Sequence, residues 1–501
     1  MRFSQRHLVL SIILVVALCG VGSAQTDLKD DVTGILTVDG SPYHVIQNAF
    51  VPAEEVLKIE EGVVVEFEPG TQLEVFGLLQ VLGTPSSPVI IRGMDEINPW
   101  KGITISGKDA DGGLINYAQI SGCTIGIQFD DVAFDVTNTS ILSLERAVAV
   151  DNDSDVSLSN LIASVAADKL SATAMKVKDS TIMARDSRFS VFAQVVDPND
   201  HLIGMVFDDA EGVFFNNQIH VSSPSAVYAL NVVDCSDLDI NHCSIKLASE
   251  INSFERQSAA IRVAGSGSIL FDHMSVDLGV PYSSAYGVYA TGSTRVQFNN
   301  SIIANTTGTN QGLNLAFYLN EGFSPVIIAR YNCLYDIAVE GSAGVENFDY
   351  IIDNPLWISP IEQDYHLSAG SPCIDAGNPT PGMPRDPDGT ISDLGMHYFH
   401  QLSTETPVVP ENFALIKAYP NPFNSGIRFA LQVDKLRDVN IGIYDVLGRE
   451  VTVIHAGQLA VGQHSFHWNG FSGVSPVSSG IYFIRVKSQH QVLTQRILLV
   501  R

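Results

Sequence analysis

The 501-residue sequence predicts an all-β protein: a parallel β-helix solenoid over most of its length, then a small β-sandwich. Three observations carry that prediction. Apolar anchors preceded by small or polar residues recur at Ile120, Ile141, Ile162, Ile182, Ile219, Ile245, Val276, Ile302 and Leu334, at gaps of 21, 21, 20, 37, 26, 31, 26 and 32. No stretch of ten or more residues keeps a 3.6 period, which excludes α/β folds, whose parallel strands need helical crossovers. The last stretch, 413–501, shifts to regular alternating strands with short turns and reverses its charge.

The elements follow in chain order. Met1–His7 is short and basic, and Leu8–Val21 is apolar. Gly22-Ser23-Ala24 then offers small residues before Gln25, so residues 1–24 read as a secretory signal peptide. The apolar run is shorter than the ~20 residues that span a bilayer, which argues against an anchor. No later segment is long and apolar enough to cross a membrane. Cys19 leaves with the signal, and the mature chain keeps Cys123, Cys235, Cys243, Cys333 and Cys373. Five cysteines make no disulfide framework, and the absence of any CxxC argues against a zinc site. Cys235 and Cys243 are candidates to pair, against a reading of both as buried single thiols.

Residues 25–400 are expected to form the solenoid with an N-terminal cap region. Short β-rich runs such as 62–67, 72–77, 89–91 and 102–105 are broken by Gly, Asn, Asp and Ser. The shortest anchor gaps approximate one coil; the gap of 37 has room for an extra coil. Asn stands two places before the anchor at Asn160, Asn217, Asn300 and Asn332. Equivalent positions of stacked coils lie about 4.8 Å apart. The four are therefore expected to form one asparagine ladder that satisfies turn backbone in the coils above and below. Each coil buries its apolar face only against its neighbours.

Residues 401–412 contain Pro407 and Pro410 and read as an extended linker. Beyond it, strands are expected at 427–431, 439–444, 465–468, 481–486 and 493–500.

Charge divides along the same lines. The chain carries 28 Lys and Arg against 55 Asp and Glu, net −27. Residues 413–501 hold nine basic and four acidic residues, and the signal holds two basic ones. The remainder, 25–412, therefore has 17 basic against 51 acidic residues, or −34. This balance excludes nucleic acid and anionic membranes as partners, because both require clustered Lys and Arg. It also disfavours polyanionic glycans unless a local basic groove or bound calcium offsets it.

Two resemblances add to this reading. Residues 40–400 resemble bacterial right-handed parallel β-helix surface proteins of pectate-lyase-like architecture. The resemblance rests on Ile59-Glu60-Glu61-Gly62-Val63, Phe67-Glu68-Pro69-Gly70, Pro99-Trp100-Lys101-Gly102, Asp364-Tyr365-His366-Leu367 and Ser371-Pro372-Cys373-Ile374-Asp375-Ala376-Gly377. Residues 413–501 resemble the type A C-terminal sorting domain of the type IX secretion system, an Ig-like sandwich. The motif residues are Tyr419, Pro420, Asn421 and Pro422, then Tyr444, Asp445, Gly448 and Arg449, then Gly480 and Tyr482. That resemblance implies an outer-membrane translocon and a sorting peptidase as partners. It implies a secreted or cell-surface location reached through the periplasm. A related Ig-like domain of flagellar hook-capping proteins shares several of these motifs.

Chemistry is less legible. Phe129-Asp130-Asp131 and Phe207-Asp208-Asp209 resemble the paired acids of polygalacturonases, and Phe271-Asp272-His273 a pectate-lyase strand motif. The accompanying Gly-His-Gly and Arg-Ile-Lys motifs are absent, and Asp also builds tight turns. No catalytic residue is assigned, and no cofactor is expected apart from candidate calcium. Asp386, Asp388 and Asp393, around the turn glycine Gly389, are the calcium candidates. Trp100, Tyr282, Tyr286, Tyr289, Tyr335 and Trp357 are candidates to stack on a neutral glycan or to pack at coil ends. The expectation is a secreted, non-enzymatic binding or structural protein, with a polysaccharide lyase or glycoside hydrolase as the alternative. A cleft holding Arg or Lys among several Asp would favour the enzyme.

Overall fold

The computed structural model describes residues 26–401 and 414–500, apart from 96, 195–200, 250–256, 280–284, 307–313, 321–323 and 339–343 in the first span, and 420, 422, 424–426, 434–436, 447–448, 460–461, 469, 473–474 and 489–491 in the second. The expected signal (1–24) and all of the expected linker but Gln401 lie outside the described residues. The chain divides into two compact units, one ending at Phe399 and one beginning at His400.

In the first unit, 32 strands form one continuous ladder in which every strand pairing is parallel. This is a parallel β-helix, and its described residues include no α-helix. Each coil runs over three faces, and some strands, such as Ala118–Asp130 and Thr173–Arg185, continue from one face to the next. One face runs through Ala226–Val233, Ser258–Ala264, Ala285–Ala290 and Asn314–Leu319. A second runs through Leu238–Asn241, Ser266–Asp272, Ser293–Asn299 and Val326–Arg330. A third runs through Gln218–Ser223, Ser244–Ser249, Ser275–Gly279, Ile302–Ala304 and Cys333–Tyr335. Alternate side chains of all three faces point inward, so one apolar core extends from Val32 to Leu334. Phenylalanines dominate it, with Phe271, Phe298 and Phe317 in successive ring contact.

The first face bends at a column of small residues. A Cβ on Gly126 would lie 2.4 Å from the carbonyl of Ala147, and one on Gly287 would lie 2.6 Å from that of Ala316. Neighbouring coils approach too closely there for a larger residue.

The ladder corrects the anchor register. The column is Ile120, Ile141, Ala163, Phe189, Ile219, Ile245, Val276, Ile303 and Leu334. Ile162 and Ile302 stand one place before it, and Ile182 lies on the second face beside Val156. Coils here are therefore 21–31 residues long, and the gap of 37 holds no extra coil.

The asparagine ladder is corrected with it: the four residues occupy two adjacent columns. Between the second and third faces each coil passes through one left-handed residue. These include Asn138, Asn160, Asp186, Asn216, His242, His273, Asn300 and Tyr331, with φ between 47° and 55°. Asn and Asp tolerate that conformation best. Asn160 and Asn300 belong to this outer column. Asn160 Nδ2 donates to Asn138 Oδ1 at 3.1 Å and Asn138 Nδ2 to Asn116 Oδ1 at 3.0 Å.

Asn217 and Asn332 stand one residue later, fully buried. Asn217 Oδ1 accepts from Ser187 N at 2.9 Å, and its Nδ2 donates to Ala184 O at 2.9 Å. Asn332 does the same for Ser301 N and Phe298 O, both at 3.0 Å. Thr139, Ser187, Cys243 and Ser301 fill this inner column in other coils, each side chain accepting from the backbone N–H one coil back. It is a mixed ladder in which any small acceptor suffices, because the orphaned group is a single N–H.

The turn from the first face to the second repeats the device. Asp131, Asp153, Asp179, Asp209 and Asp234 are left-handed there, followed by Gly265 and Gly292. Ser154, Ser180 and Cys235 supply the inner acceptors. Much of the acidic charge is thus turn chemistry, repeated once per coil.

After the last coil, Trp357–Ser359 and Asp364–Leu367 form an antiparallel hairpin. Together with residues 371–399 it packs on the outer side of the third face: Lys246 Nζ donates to Pro360 O at 2.6 Å, Met396 N donates to Ser275 Oγ at 2.9 Å, and Ile302, Ala304 and Cys333 join Cys373 and Leu394 in a cluster separate from the main core.

The second unit is an antiparallel sandwich. Ala414–Tyr419, Ile427–Val433 and Gly462–Trp468 form one sheet; Glu450–Leu459, Arg437–Tyr444, Gly480–Ser488 and Val492–Leu499 form the other. Its own core includes Ile427, Ile441, Ile484, Ile497 and Trp468.

Candidate functional site

The outer side of the first β-helix face carries the densest functional side chains, in two neighbouring groups. One is aromatic. Tyr228 lies beside Ala259 and Tyr286, and Arg262 beside Tyr289 and Tyr318, on consecutive strands. Tyr286 and Tyr318 stack at 4.4 Å with an interplanar angle of 4°. Tyr289 contacts Tyr228, Tyr286 and Tyr318 at 6.3, 5.9 and 5.8 Å. His201 stacks on Tyr228 at 4.2 Å, and the Arg262 guanidinium lies 5.5 Å from that ring's centre. Polar groups frame the strip: Arg262 donates to Asn231 Oδ1 at 2.7 Å, Asn320 donates to the Tyr289 hydroxyl at 3.0 Å, and the Tyr286 hydroxyl bonds Gln257. Tyr228, Tyr289 and Tyr318 are half-buried, leaving part of each ring open; Tyr286 is buried beneath them.

Of the aromatics singled out in the sequence, Tyr286 and Tyr289 are in this strip. Trp100 is fully buried and stacks on Phe67 at 4.0 Å. Trp357 packs edge-on against Tyr365 at 4.8 Å, and Tyr335 packs against the same cluster. Tyr282 lies outside the described residues. Tyr228, Tyr318 and Arg262 went unnoticed in the sequence. Their only signal was an aromatic or basic residue recurring at the same place in successive coils, visible once the coil register is known.

The second group lies earlier on the same face. Asp130 pairs with Asp151, and Lys178 with Asp208; the register of Val150 with Val177 carries Asp151 to Lys178. An acid, acid, lysine, acid row results. Lys176 Nζ lies 3.9 Å from Asp151 Oδ1, and Asn152 Nδ2 donates to Asp130 Oδ1 at 2.7 Å. Asp131 and Asp209, the second members of the Asp-Asp pairs, are left-handed turn residues.

The Phe271-Asp272-His273 motif lies on the second face. Phe271 is core, and His273 is a left-handed turn residue stacked on His242 at 4.5 Å. Asp272 and His273 line a groove of about 390 Å³ with Arg295, Arg330, Asn378 and Ser392. Burial raises the Asp272 pKa, but hydrogen bonds from His273 and Asn300 outweigh it and hold the carboxyl below its ordinary range.

The calcium candidates Asp386, Asp388 and Asp393 lie in the segment 371–399. Asp386 Oδ2 accepts from Asp393 N at 2.9 Å. Asp393 accepts from Asp375 N at 2.7 Å and from Phe399 N at 2.5 Å. Asp388 Oδ1 accepts from the Thr390 hydroxyl at 2.7 Å. The three carboxylates are thus spent on backbone and hydroxyl donors of the covering segment. Among the described residues, no three His, Cys, Asp or Glu side chains converge enough to hold a metal ion. Burial, then the charge of Asp393, raises the Asp386 pKa to about 6, and burial raises that of Asp393 as well. Asp388 and His273 also face Asp386.

A carboxyl whose pKa rises on folding stabilises the fold below its unfolded value and loses that contribution as pH climbs through the folded value. Asp386→Asn is therefore expected to raise stability above pH 6 by about 1 kcal/mol, after discounting for its partial exposure, and to change little near pH 4. Thermal melts of both proteins at pH 4 and 7.5 test this; an equal shift at both pH values would refute it.

The sorting motifs knit the sandwich together. Asn421 Oδ1 accepts from Leu498 N at 2.8 Å, and its Nδ2 donates to Arg496 O at 3.1 Å. Phe423 N then bonds Leu498 O at 2.9 Å. Asp445 closes its hairpin by accepting from Arg449 N at 3.0 Å and Nε at 2.7 Å. The Tyr444 hydroxyl donates to Glu450, and Arg485 lies 4.7 Å above its ring. Tyr482 packs edge-on against Trp468, and its hydroxyl donates to Ser478 O. Tyr419 pairs through its backbone with Arg428, and Gly480 with Leu499. Pro420, Pro422 and Gly448 lie outside the described residues.

These motifs stitch a two-sheet domain at its terminal strand, and comparison with known families says what the domain is. Residues 417–500 match the secretion system C-terminal sorting domain family. The chain carries a type IX sorting domain and is exported by that route to the cell surface or beyond it.

No curated protein matches the chain by sequence. Among solved structures, it is similar to PorZ, a surface component of the type IX secretion system of Porphyromonas gingivalis, at 20% identity and a TM-score of 0.14. That similarity covers 17% of this chain and only 11% of PorZ. An alginate lyase from a Paenibacillus species aligns at 12% identity over 60% of this chain and 99% of its own, TM-score 0.23. An Acinetobacter phage tailspike aligns at 10% identity over 94% and 76%, TM-score 0.26. Among the described residues, no helix is long and apolar enough to cross a membrane.

Proposed function

We propose that this is an exported glycan-binding β-helix that engages a neutral saccharide along the strip of Tyr228, Tyr286, Tyr289 and Tyr318. On this reading the signal is removed after Ala24, the translocon reads the Ig-like sorting domain, and a sorting peptidase cuts within 401–412. The observation that carries it is the strip itself. The half-exposed rings of Tyr228, Tyr289 and Tyr318 on a rigid sheet offer apolar area, and Arg262 and Asn320 stand beside them to meet hydroxyls. A solenoid region of net charge −34 favours a neutral partner over a polyanion.

The test is retention on a panel of insoluble neutral and acidic glycans, with product analysis in parallel. Tyr289→Ala with Tyr318→Ala is expected to weaken retention by roughly tenfold per ring, since a stacked ring contributes about 1–1.5 kcal/mol. Unchanged retention by the double variant would refute the strip as the site.

A second reading is favoured by the row of Asp130, Asp151, Lys178 and Asp208, which sets lysine among carboxylates on the same face: a polysaccharide lyase or glycoside hydrolase. Against it, three carboxyls with raised pKa, Asp277, Asp386 and Asp393, lie elsewhere. New reducing ends or unsaturated products that vanish in Asp151→Asn would establish the enzyme and overturn the binding-only reading.

A further inference from the structure

The five cysteines of the first unit fall into two groups. Cys123, Cys235 and Cys243 are separate, each bonded to turn or strand backbone of its own or a neighbouring coil. Cys235 and Cys243 sit on different turns, so the structure gives them no common contact. Cys333 and Cys373 stand apart from that pattern. Cys333 opens the third-face strand Cys333–Tyr335, on which Ile351 of the following coil stacks, and Cys373 lies in the covering segment, its carbonyl accepting from Leu394 N at 2.9 Å. Both are fully buried in one cluster with Ile302, Trp357, Tyr365 and Leu394. Their sulfurs lie within hydrogen-bonding reach: the Cys373 thiol donates to the Cys333 sulfur, which is the largest influence on Cys373 and pushes its pKa up, ahead of burial, while the Cys333 thiol donates to Asp353 O at 3.3 Å. In the structure both are thiols.

The type IX sorting domain sends this chain through the periplasm, an oxidising compartment in which adjacent thiols become disulfides. We propose that Cys333 and Cys373 form a disulfide in the exported protein, covalently fastening the C-terminal covering segment to the third face of the β-helix. The reaction is thiol–disulfide exchange with a protein disulfide donor of the periplasm. One cysteine thiolate attacks the donor's disulfide and displaces one donor thiolate, giving a mixed disulfide. The second cysteine thiolate then attacks the bonded cysteine sulfur and expels the other donor thiolate. The chain loses two protons and two electrons, and the donor leaves as a dithiol.

Burial of both sulfurs sets the order of events. The raised Cys373 pKa and complete burial make the docked thiols unreactive. Exchange therefore precedes docking of the covering segment or proceeds while that segment is transiently open. The location suits the architecture. The covering segment lies against the outer side of the third face, and its hairpin 357–367 belongs to a sheet of its own that is not paired to the ladder. A bond across the intervening residues 334–372 keeps an opened covering segment tethered on a cell surface where no chaperone re-docks it.

The experiment uses the full-length exported protein, purified without reductant. It is denatured, alkylated without reduction and digested. The expected result is alkylation of Cys123, Cys235 and Cys243 alone, with a Cys333–Cys373 peptide pair lighter by two hydrogens than its separate thiols. Alkylation of both Cys333 and Cys373 in most molecules overturns the proposal. A second arm compares melts of the oxidised protein with Cys333→Ser, Cys373→Ser and the double variant. With a disulfide, the two single variants and the double melt together, below wild type, and reductant lowers wild type alone. Additive losses, with wild type indifferent to reductant, would mean that the two thiols only pack, and would overturn it equally.

Discussion

Deletion of residues 413–501 is expected to leave a folded β-helix trapped in the periplasm, with the surface signal at background. The two units have separate cores, one from Val32 to Leu334 and one built on Ile427, Ile441, Ile484 and Trp468, so the β-helix does not draw on the second unit for its core. The β-helix also has its own covering segment around Trp357, Tyr365 and Leu394. The lost part carries the recognised label, and with it nine basic against four acidic residues, the reverse of the balance in the β-helix region. Cell fractionation with protease shaving measures the outcome. Normal surface display of the truncated protein would refute the assignment of export to this domain. Asn421→Ala supplies a graded version. It removes two hydrogen bonds that hold the terminal strand, a loss of about 1–2 kcal/mol at an exposed edge, and should reduce display without abolishing it.

The second large effect separates two asparagines that look alike in the sequence. Asn217→Ala should destabilise the β-helix by about 3–5 kcal/mol. It strips partners from Ser187 N and Ala184 O where water cannot replace them, and it leaves a cavity. Asn160→Ala should cost no more than about 1–2 kcal/mol. Asn160 is exposed, loses one side-chain bond to Asn138, and otherwise gives up only the Asn preference for left-handed backbone. Denaturant melts of the two variants beside wild type decide the point. Equal losses would mean that the four asparagines act as one ladder after all.

The two columns show where sequence reading fails. An apolar anchor was assumed to mark the same place in every coil. Ile162 breaks that rule, being 52% exposed at the first position of its strand while its neighbour Ala163 is the core residue. An isoleucine at a strand edge and one in the core read identically along the chain. The turns that follow from one slipped residue then change columns together, because side chains alternate between inside and outside.

Several features were legible without coordinates. The absence of helical periodicity and the recurrence of short β-branched runs determined a parallel β-helix, because both are local properties of backbone and pattern. The motifs around Tyr419, Tyr444, Gly480 and the terminal strand determined the sorting domain, since each serves a turn or strand contact that constrains residue type on the spot. Coil register, however, depends on loops whose lengths vary from coil to coil. Whatever register assembles therefore belonged to tertiary structure alone: Tyr228 beside Tyr286 and Tyr289, Lys178 between Asp151 and Asp208, and Cys333 against Cys373. The calcium candidates illustrate a related point. Asp386, Asp388 and Asp393 have a spacing that suits a metal loop and equally suits a turn, and only folding showed that backbone N–H groups had already claimed their oxygens. Composition and pattern set what each coil can be; the stacking of one coil on the next, some 20–30 residues away, decides which side chains meet.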